Sequence, residues 1–171
     1  MFQKMSTPIR YTAMFGLVLM LGLSLAWAVE YYSDSMTISR GQKGNSSITV
    51  VKDGGQDKVE VTAKKYTLEP YMDEQGVDEV TVTVDATVGW VDDDQGGHYQ
   101  MDFTFGPSGA FFDPKPLELT LKGKYHSDNT DVWLFDENGE ALDGERKNKN
   151  DHTTFYIPHF SSYTYDEYDE Y

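Results

Sequence analysis

The chain has 171 residues, with 29 Asp and Glu against 14 Lys and Arg, a formal net charge of −15 and no cysteine. So acidic a surface repels nucleic acid and anionic membrane faces, because affinity for phosphate is built from lysine and arginine. No disulfide can brace the fold, so stability must come from one hydrophobic core, which a chain of this length can supply.

At the amino terminus Lys4 and Arg10 flank an apolar run from 13 to 26, and Ala26-Trp27-Ala28 precedes the first acid, Glu30. A basic start, a short apolar stretch and an A-x-A exit predict a secretory signal peptide over 1–28, cut after Ala28. The apolar run, roughly 14 to 16 residues, is shorter than the ~20 needed to span a bilayer, which argues against a retained membrane helix. No cysteine follows it, so a lipid-anchored bacterial precursor is excluded. Loss of Lys4 and Arg10 with no acid would move the charge from −15 to −17. The expectation is an exported protein, periplasmic or extracellular, with no membrane insertion once the signal is removed.

Residues 29–35 contain Tyr31 and Tyr32 but no period, and read as a leader that pairs at most at an edge. Two β-branched runs, 46–51 and 58–65, flank Asp53-Gly54-Gly55-Gln56-Asp57, a hairpin turn signal. In the second run Val59, Val61 and Ala63 share one face and Glu60, Thr62 and Lys64 the other, as in a half-buried strand. Pro70 and Gly76 among acids mark 68–76 as a loop. Val80, Val82 and Val84 then alternate with Thr81, Thr83 and Asp85 in a long strand over 77–91 that ends near Trp90. A turn over 92–97 returns the chain as a strand with Tyr99, Met101, Phe103 and Phe105 on one face.

Leu117, Leu119 and Leu121 alternate with polar neighbours, and 132–135 is a short apolar strand containing Trp133. Asp136-Glu137-Asn138-Gly139 supplies a turn whose Asn-Gly pair suits positive φ. Residues 142–150 are polar and loop-like, and Thr153, Phe155 and Ile157 form one face of a late strand that stops at Pro158. No window sustains a 3.6-residue apolar period, so almost no helix is expected. The fold class is all-β: a single antiparallel β-sandwich of about eight or nine strands over 36–165. Asp166-Glu167-Tyr168 and Asp169-Glu170-Tyr171 make an acidic tyrosine tail, 166–171, without aliphatic residues to bury it.

The stretch from 105 to 121, FGPSGAFFDPKPLELTL, and its distant partner from 157 to 163, IPHFSSY, carry a resemblance. Gly106-Pro107-Ser108-Gly109, then Phe111 or Phe112, Lys115-Pro116 and the leucine strand, followed by Trp133, His159-Phe160-Ser161 and Tyr163, resemble the ZU-five domain. That β-sandwich module occurs in ankyrins, netrin receptors and death-domain adaptor proteins, with short exported relatives in bacteria. The resemblance covers roughly 99–165. It implies a possible reaction as well as a fold: in several relatives an HFS triplet is cut between Phe and Ser. Carried over, the Ser161 hydroxyl would attack the Phe160 carbonyl and His159 would accept the proton, with His126 as a second acceptor if folding brings it close. The alternative is a closing strand in which Phe160 fills the core and Ser161 makes a backbone hydrogen bond.

Other chemistry is sparse. The histidines at 98, 126, 152 and 159 show no short zinc-ligand spacing. Asp92, Asp93 and Asp94 offer hard oxygens suited to calcium, without the order of an EF-hand loop, and equally suit a solvated hairpin tip. No G-x-S-x-G elbow, phosphate loop or dinucleotide fingerprint is present. Asn45-Ser46-Ser47 fits the glycosylation acceptor pattern. These features predict a non-catalytic interaction or structural module without cofactor, facing another protein or a cell-surface component and not nucleic acid. A self-processing domain cut at Phe160-Ser161 and an acidic calcium-dependent adhesion domain are the alternatives.

Overall fold

A computed structural model describes residues 29–92, 97–107, 116–126, 132–142, 146–149 and 151–167. The expected signal peptide, Asp93, Asp94 and the four residues 168–171 of the tail lie outside the described residues. In chain order the described elements are β1 (Glu30–Ser39), β2 (Ser46–Lys52), β3 (Lys58–Ala63), α1 (Glu69–Gln75), β4 (Glu79–Val91) and β5 (His98–Gly106). There follow β6 (Leu117–Lys122), a 3-10 turn (Gly123–Tyr125), β7 (Val132–Phe135), β8 (Arg146–Lys149), β9 (His152–Ile157) and β10 (Ser162–Glu167). Among these residues no helix is long and apolar enough to cross a membrane.

Ten strands build two five-stranded sheets, one ordered β1-β4-β5-β10-β7 (sheet A) and one ordered β2-β3-β6-β9-β8 (sheet B). Every neighbouring pair is antiparallel. The period-two pattern decides which face turns inward. Val80, Val82, Val84, Ala86 and Val88 of β4 and Met101, Phe103 and Phe105 of β5 meet Val59, Val61, Leu117, Leu119, Leu121, Phe155 and Ile157 of sheet B. Phe155 and Tyr165 touch edge to face across the interior, with ring centroids 5.8 Å apart. This is the all-β sandwich that the alternation predicts.

Four segments differ from the sequence reading. The aperiodic residues 30–35 are the first half of β1, which pairs with β4 along its whole length, from Glu30 opposite Val88 to Ser39 opposite Glu79. An edge strand at the end of a sandwich has little to bury, so it shows little alternation. The stretch expected as a loop holds α1: Pro70 lies in its first turn and Gly76 closes it at φ 66°. The two residues taken as breakers are those that start and stop a helix. Leu68 and Met72, four apart, are buried on one side of it. Polar 146–149 forms β8, paired only with β9, and exposed lysines on an edge strand are a normal defence against aggregation. Likewise Asp166 and Glu167 belong to β10 and not to a free tail.

The described ends of the two stretches singled out in the sequence lie together, while residues 108–115 of the first are outside the described residues. From the end of β5 the chain passes from sheet A to sheet B and enters β6 at Leu117, while 158–161 carries it from β9 back to sheet A and into β10. Leu117 pairs with Ile157 on one side of this double crossing, and Ser162 pairs with Thr104 on the other. Between them the Phe105 N–H donates to the Ser161 carbonyl at 2.9 Å. Gly106 is required here for space: a Cβ would stand 2.6 Å from Thr83 Oγ1 on the adjacent strand.

Leu119 is fully buried at the centre of sheet B, opposite Val61 and Phe155. Leu119→Ala removes its contacts with both neighbours and is expected to destabilise the fold by about 2–5 kcal/mol. Urea unfolding followed by tryptophan fluorescence measures that loss, with the slope against denaturant unchanged.

Candidate functional site

The HFS triplet occupies the return crossing between β9 and β10. Phe160 is 2% exposed and belongs to the core. Its neighbours are held by three contacts. The Ser161 carbonyl accepts the Phe105 N–H, and the Tyr163 hydroxyl donates to the His159 carbonyl at 2.9 Å. The Ser161 hydroxyl donates to Glu137 Oε2 at 2.5 Å. His159 Nδ1 lies 3.4 Å from the Tyr163 hydroxyl, and its ring packs tilted against the Tyr163 ring at 5.8 Å.

The carboxylate that accepts the hydrogen bond of the Ser161 hydroxyl belongs to Glu137. His159, expected in that place, faces Tyr163, and His126 bonds Thr153 Oγ1 at 2.7 Å through Nδ1. Glu137 sits in the turn after β7, whose Phe135 pairs with Thr164. Twenty-four residues separate Glu137 from Ser161. The turn signal around Asn138-Gly139 is plain in the sequence, but nothing there ties it to the triplet; only the β7–β10 pairing does.

Electrostatics at this corner favour a fixed frame. Asp136 is drawn down in pKa: burial opposes ionisation, but its carboxylate accepts the backbone N–H groups of Glu140 and Asn138, and these win. Burial, with the nearby Asp136 and Glu137 charges, pushes the Tyr163 phenol well above its ordinary range, so it stays a donor.

The acidic turn lies at the other end of the sandwich. Asp92 Oδ1 accepts the Trp90 indole N–H at 2.8 Å. Trp90 packs edge-on to Tyr99 at 4.9 Å, and Tyr99 edge-on to Tyr125 at 5.0 Å. Gly97, at φ 91°, lies against the indole where a Cβ would stand 2.8 Å from the ring. Lys124 covers Tyr99 and Tyr125 at 5.3 and 5.1 Å and pairs with Asp53. The length of β5 separates this end from Ser161, roughly 25–30 Å at strand rise, so Asp92 and the triplet cannot act together.

The remaining histidines are dispersed. His98 Nε2 meets Asp166 Oδ1 at 2.8 Å, with Gln100 donating to the other oxygen at 2.7 Å, and His152 Nδ1 meets Asp151 at 2.6 Å. Among the described residues no three His, Asp or Glu side chains are grouped to hold a metal ion. Asn45 of the acceptor pattern uses Oδ1 to take the Lys65 N–H.

No family model, no curated protein and no solved structure matches this chain.

Two predictions follow the corner's hydrogen bonds. Tyr163→Phe removes the donor to the His159 carbonyl and should cost about 1–2 kcal/mol in urea unfolding at neutral pH. Asp136 ionises more readily when folded, so its contribution is present above the unfolded pKa of ~3.9 and is lost as pH falls through the lower folded value. Asp136→Asn imitates the protonated acid. It should be less stable than wild type at neutral pH, with the gap closing on acidification below about pH 4.

Proposed function

We propose that this protein is an exported, non-catalytic β-sandwich module that binds another protein or a cell-surface component. The observation that carries this reading is the state of the HFS corner. Phe160 is in the core, both flanking carbonyls are hydrogen-bonded, and His159 is turned to Tyr163. Such a corner supports the closure of a fold better than the scission of a peptide. The signal-like amino terminus and the acidic composition support export, and the resemblance of the 105–121 and 157–163 stretches to ZU-five domains supports a module with an interaction role.

A second reading rests on the short Ser161–Glu137 contact. In a self-processing domain Glu137 would take the Ser161 proton as Oγ bonds to the Phe160 carbonyl carbon. The Phe160–Ser161 C–N bond would break, with the proton delivered to the departing amine. Water would then hydrolyse the ester, leaving a Phe160 carboxylate and a free Ser161 hydroxyl. The calcium reading has less support, since Asp92 is engaged with Trp90.

Intact mass before and after prolonged incubation at neutral pH separates these readings. The binding-module reading expects one unchanged species and no calcium-dependent rise in melting temperature. A new species ending at Phe160, abolished by Ser161→Ala and slowed at least tenfold by Glu137→Gln, would replace it with self-processing.

A further inference from the structure

The two sheets end in four edge strands, β1 and β7 in one and β2 and β8 in the other. An edge exposes unpaired N–H and C=O groups, and proteins blunt it with bulges, lysines or covering chain. β2 is bulged between Thr49 and Val51, and four-residue β8 carries exposed Lys147 and Lys149. β7 is covered by its own return, where Leu142 N–H donates to the Leu134 carbonyl at 2.9 Å and Ala141 bridges Phe135. β1 has none of these devices. Its ten residues hold unbroken register with β4 and include no lysine, arginine or proline. Met36 and Ile38 bury its second half, whereas over 30–35 every residue but Tyr32 is exposed.

The ladder decides which backbone groups this edge offers. In an antiparallel pair, residues alternate between those bonded to the neighbouring strand and those facing away from it. Arg40, next after β1, donates its N–H to the Asp78 carbonyl at 2.8 Å, so even-numbered residues face β4. Tyr31, Ser33 and Ser35 therefore turn their N–H and C=O groups to the open edge. Ser39 fits the same alternation, its carbonyl accepting the Gln42 N–H at 3.2 Å outside the ladder. At Ser35 the N–H is taken locally, by Asp34 Oδ1 at 2.7 Å. Among the described residues β1 pairs with β4 alone, and no turn or loop backbone bonds to 31, 33 or 35.

Side chains set the preference of this edge. Glu30 and Asp34 share one face with Tyr32 between them, about 13 Å apart at strand rise. Glu30 accepts the Tyr32 hydroxyl, and neither acid meets a cation among the described residues. No strand of sheet A contains a lysine or arginine, and Asp85 stands opposite Ser33. A second copy of the chain brings the same acids and the same net charge of −15 to the edge, and like charges across a strand pair repel. A basic strand is complementary.

We infer that the open edge of β1 over 30–35 takes up an extended strand of a partner protein that carries basic side chains four residues apart. This names the partner's recognition element for the proposed binding module and rests on that reading. The incoming backbone completes the ladder at Tyr31, Ser33 and Ser35, which is recognition by strand addition. Its cations stand opposite Glu30 and Asp34. Drawing the Asp34 carboxylate aside frees the Ser35 N–H, so a basic strand opens an edge that an acidic strand finds guarded.

The probe is the end-blocked peptide TKTVTKT, added at low salt to the purified isotope-labelled protein and followed by NMR. Binding is expected, with resonance shifts along β1 and slowed amide exchange at Ser33 and Ser35, and TETVTET should not bind. TKTVTKT methylated on its threonine nitrogens, the residues that face β1, cannot complete the ladder and should bind about tenfold more weakly. Ser33→Pro removes an N–H from the open edge without touching the β4 ladder, and circular dichroism would verify its folding. It too should weaken binding about tenfold. No binding of TKTVTKT, undiminished binding by the folded Ser33→Pro variant, or equal binding of the methylated or acidic peptide would overturn the inference. So would a dimer of the protein alone, seen in sedimentation and dissolved by Ser33→Pro, which would give the edge to a second copy. Failure here with an unchanged intact mass leaves the binding-module reading standing; a cut at Phe160-Ser161 removes that reading whatever the peptide does.

Discussion

The fold depends on two connections between its sheets, β5 to β6 and β9 to β10, tied at their sheet A ends by the bond from Phe105 N–H to the Ser161 carbonyl. On the sheet A side this tie continues into the β5–β10 pairing, and on the sheet B side into β6–β9. The strands that these crossings place in the middle of each sheet carry the largest buried side chains: Phe103, Phe105, Tyr163 and Tyr165 on one, Leu117, Leu119, Leu121 and Phe155 on the other. A sandwich has no covalent link between its layers when cysteine is absent. Here the layers are joined by the chain itself, at a corner where the His159 and Ser161 carbonyls accept hydrogen bonds from Tyr163 and Phe105 and Phe160 belongs to the core.

The sheets differ in character as well as in composition. Sheet A is faced with threonines and acids: Asp102 accepts from Thr87 and Thr164, and Asp166 accepts from Gln100 and meets His98. Sheet B is faced with lysines, of which Lys64 pairs with Glu118 while Lys58 and Lys122 share Glu60. Exposed pairs of this kind contribute little to stability individually. Their arrangement matters more for which molecules can approach which face. The two layers share a core and present opposite charge.

Much of this architecture was legible in the sequence because the inner strands are half-buried and alternate strictly. Val80-Val82-Val84 and Leu117-Leu119-Leu121 announce their faces, and the 105–121 and 157–163 stretches were recognisable as partners before any register was known. What stayed hidden has a common physical origin. β1 and β8 are edges, paired on one side only, and edges need no alternation to be stable. The helix α1 is too short for a period; two apolar residues four apart suffice to seat it. His159 is adjacent to Ser161 in sequence but turned elsewhere, while Glu137 arrives from a distant turn through the β7–β10 ladder. Likewise Lys52, Lys58, Lys122, His152 and Lys149 are far apart along the chain, and only register makes them successive neighbours across sheet B.

The double crossing also bears on how the chain reaches this state. The hairpins β2–β3 and β4–β5 close over a few residues each, but the tie between Phe105 and Ser161 encloses more than fifty, and β1 waits some forty residues for β4. Loop entropy makes such distant closures slow, and folds dominated by them assemble in milliseconds to seconds. The hairpins are thus the natural early structures and the corner a late one. Substitutions at 158–161 then act on the rate of unfolding more than on the rate of folding. A corner that forms last and opens first would set the lifetime of the native protein.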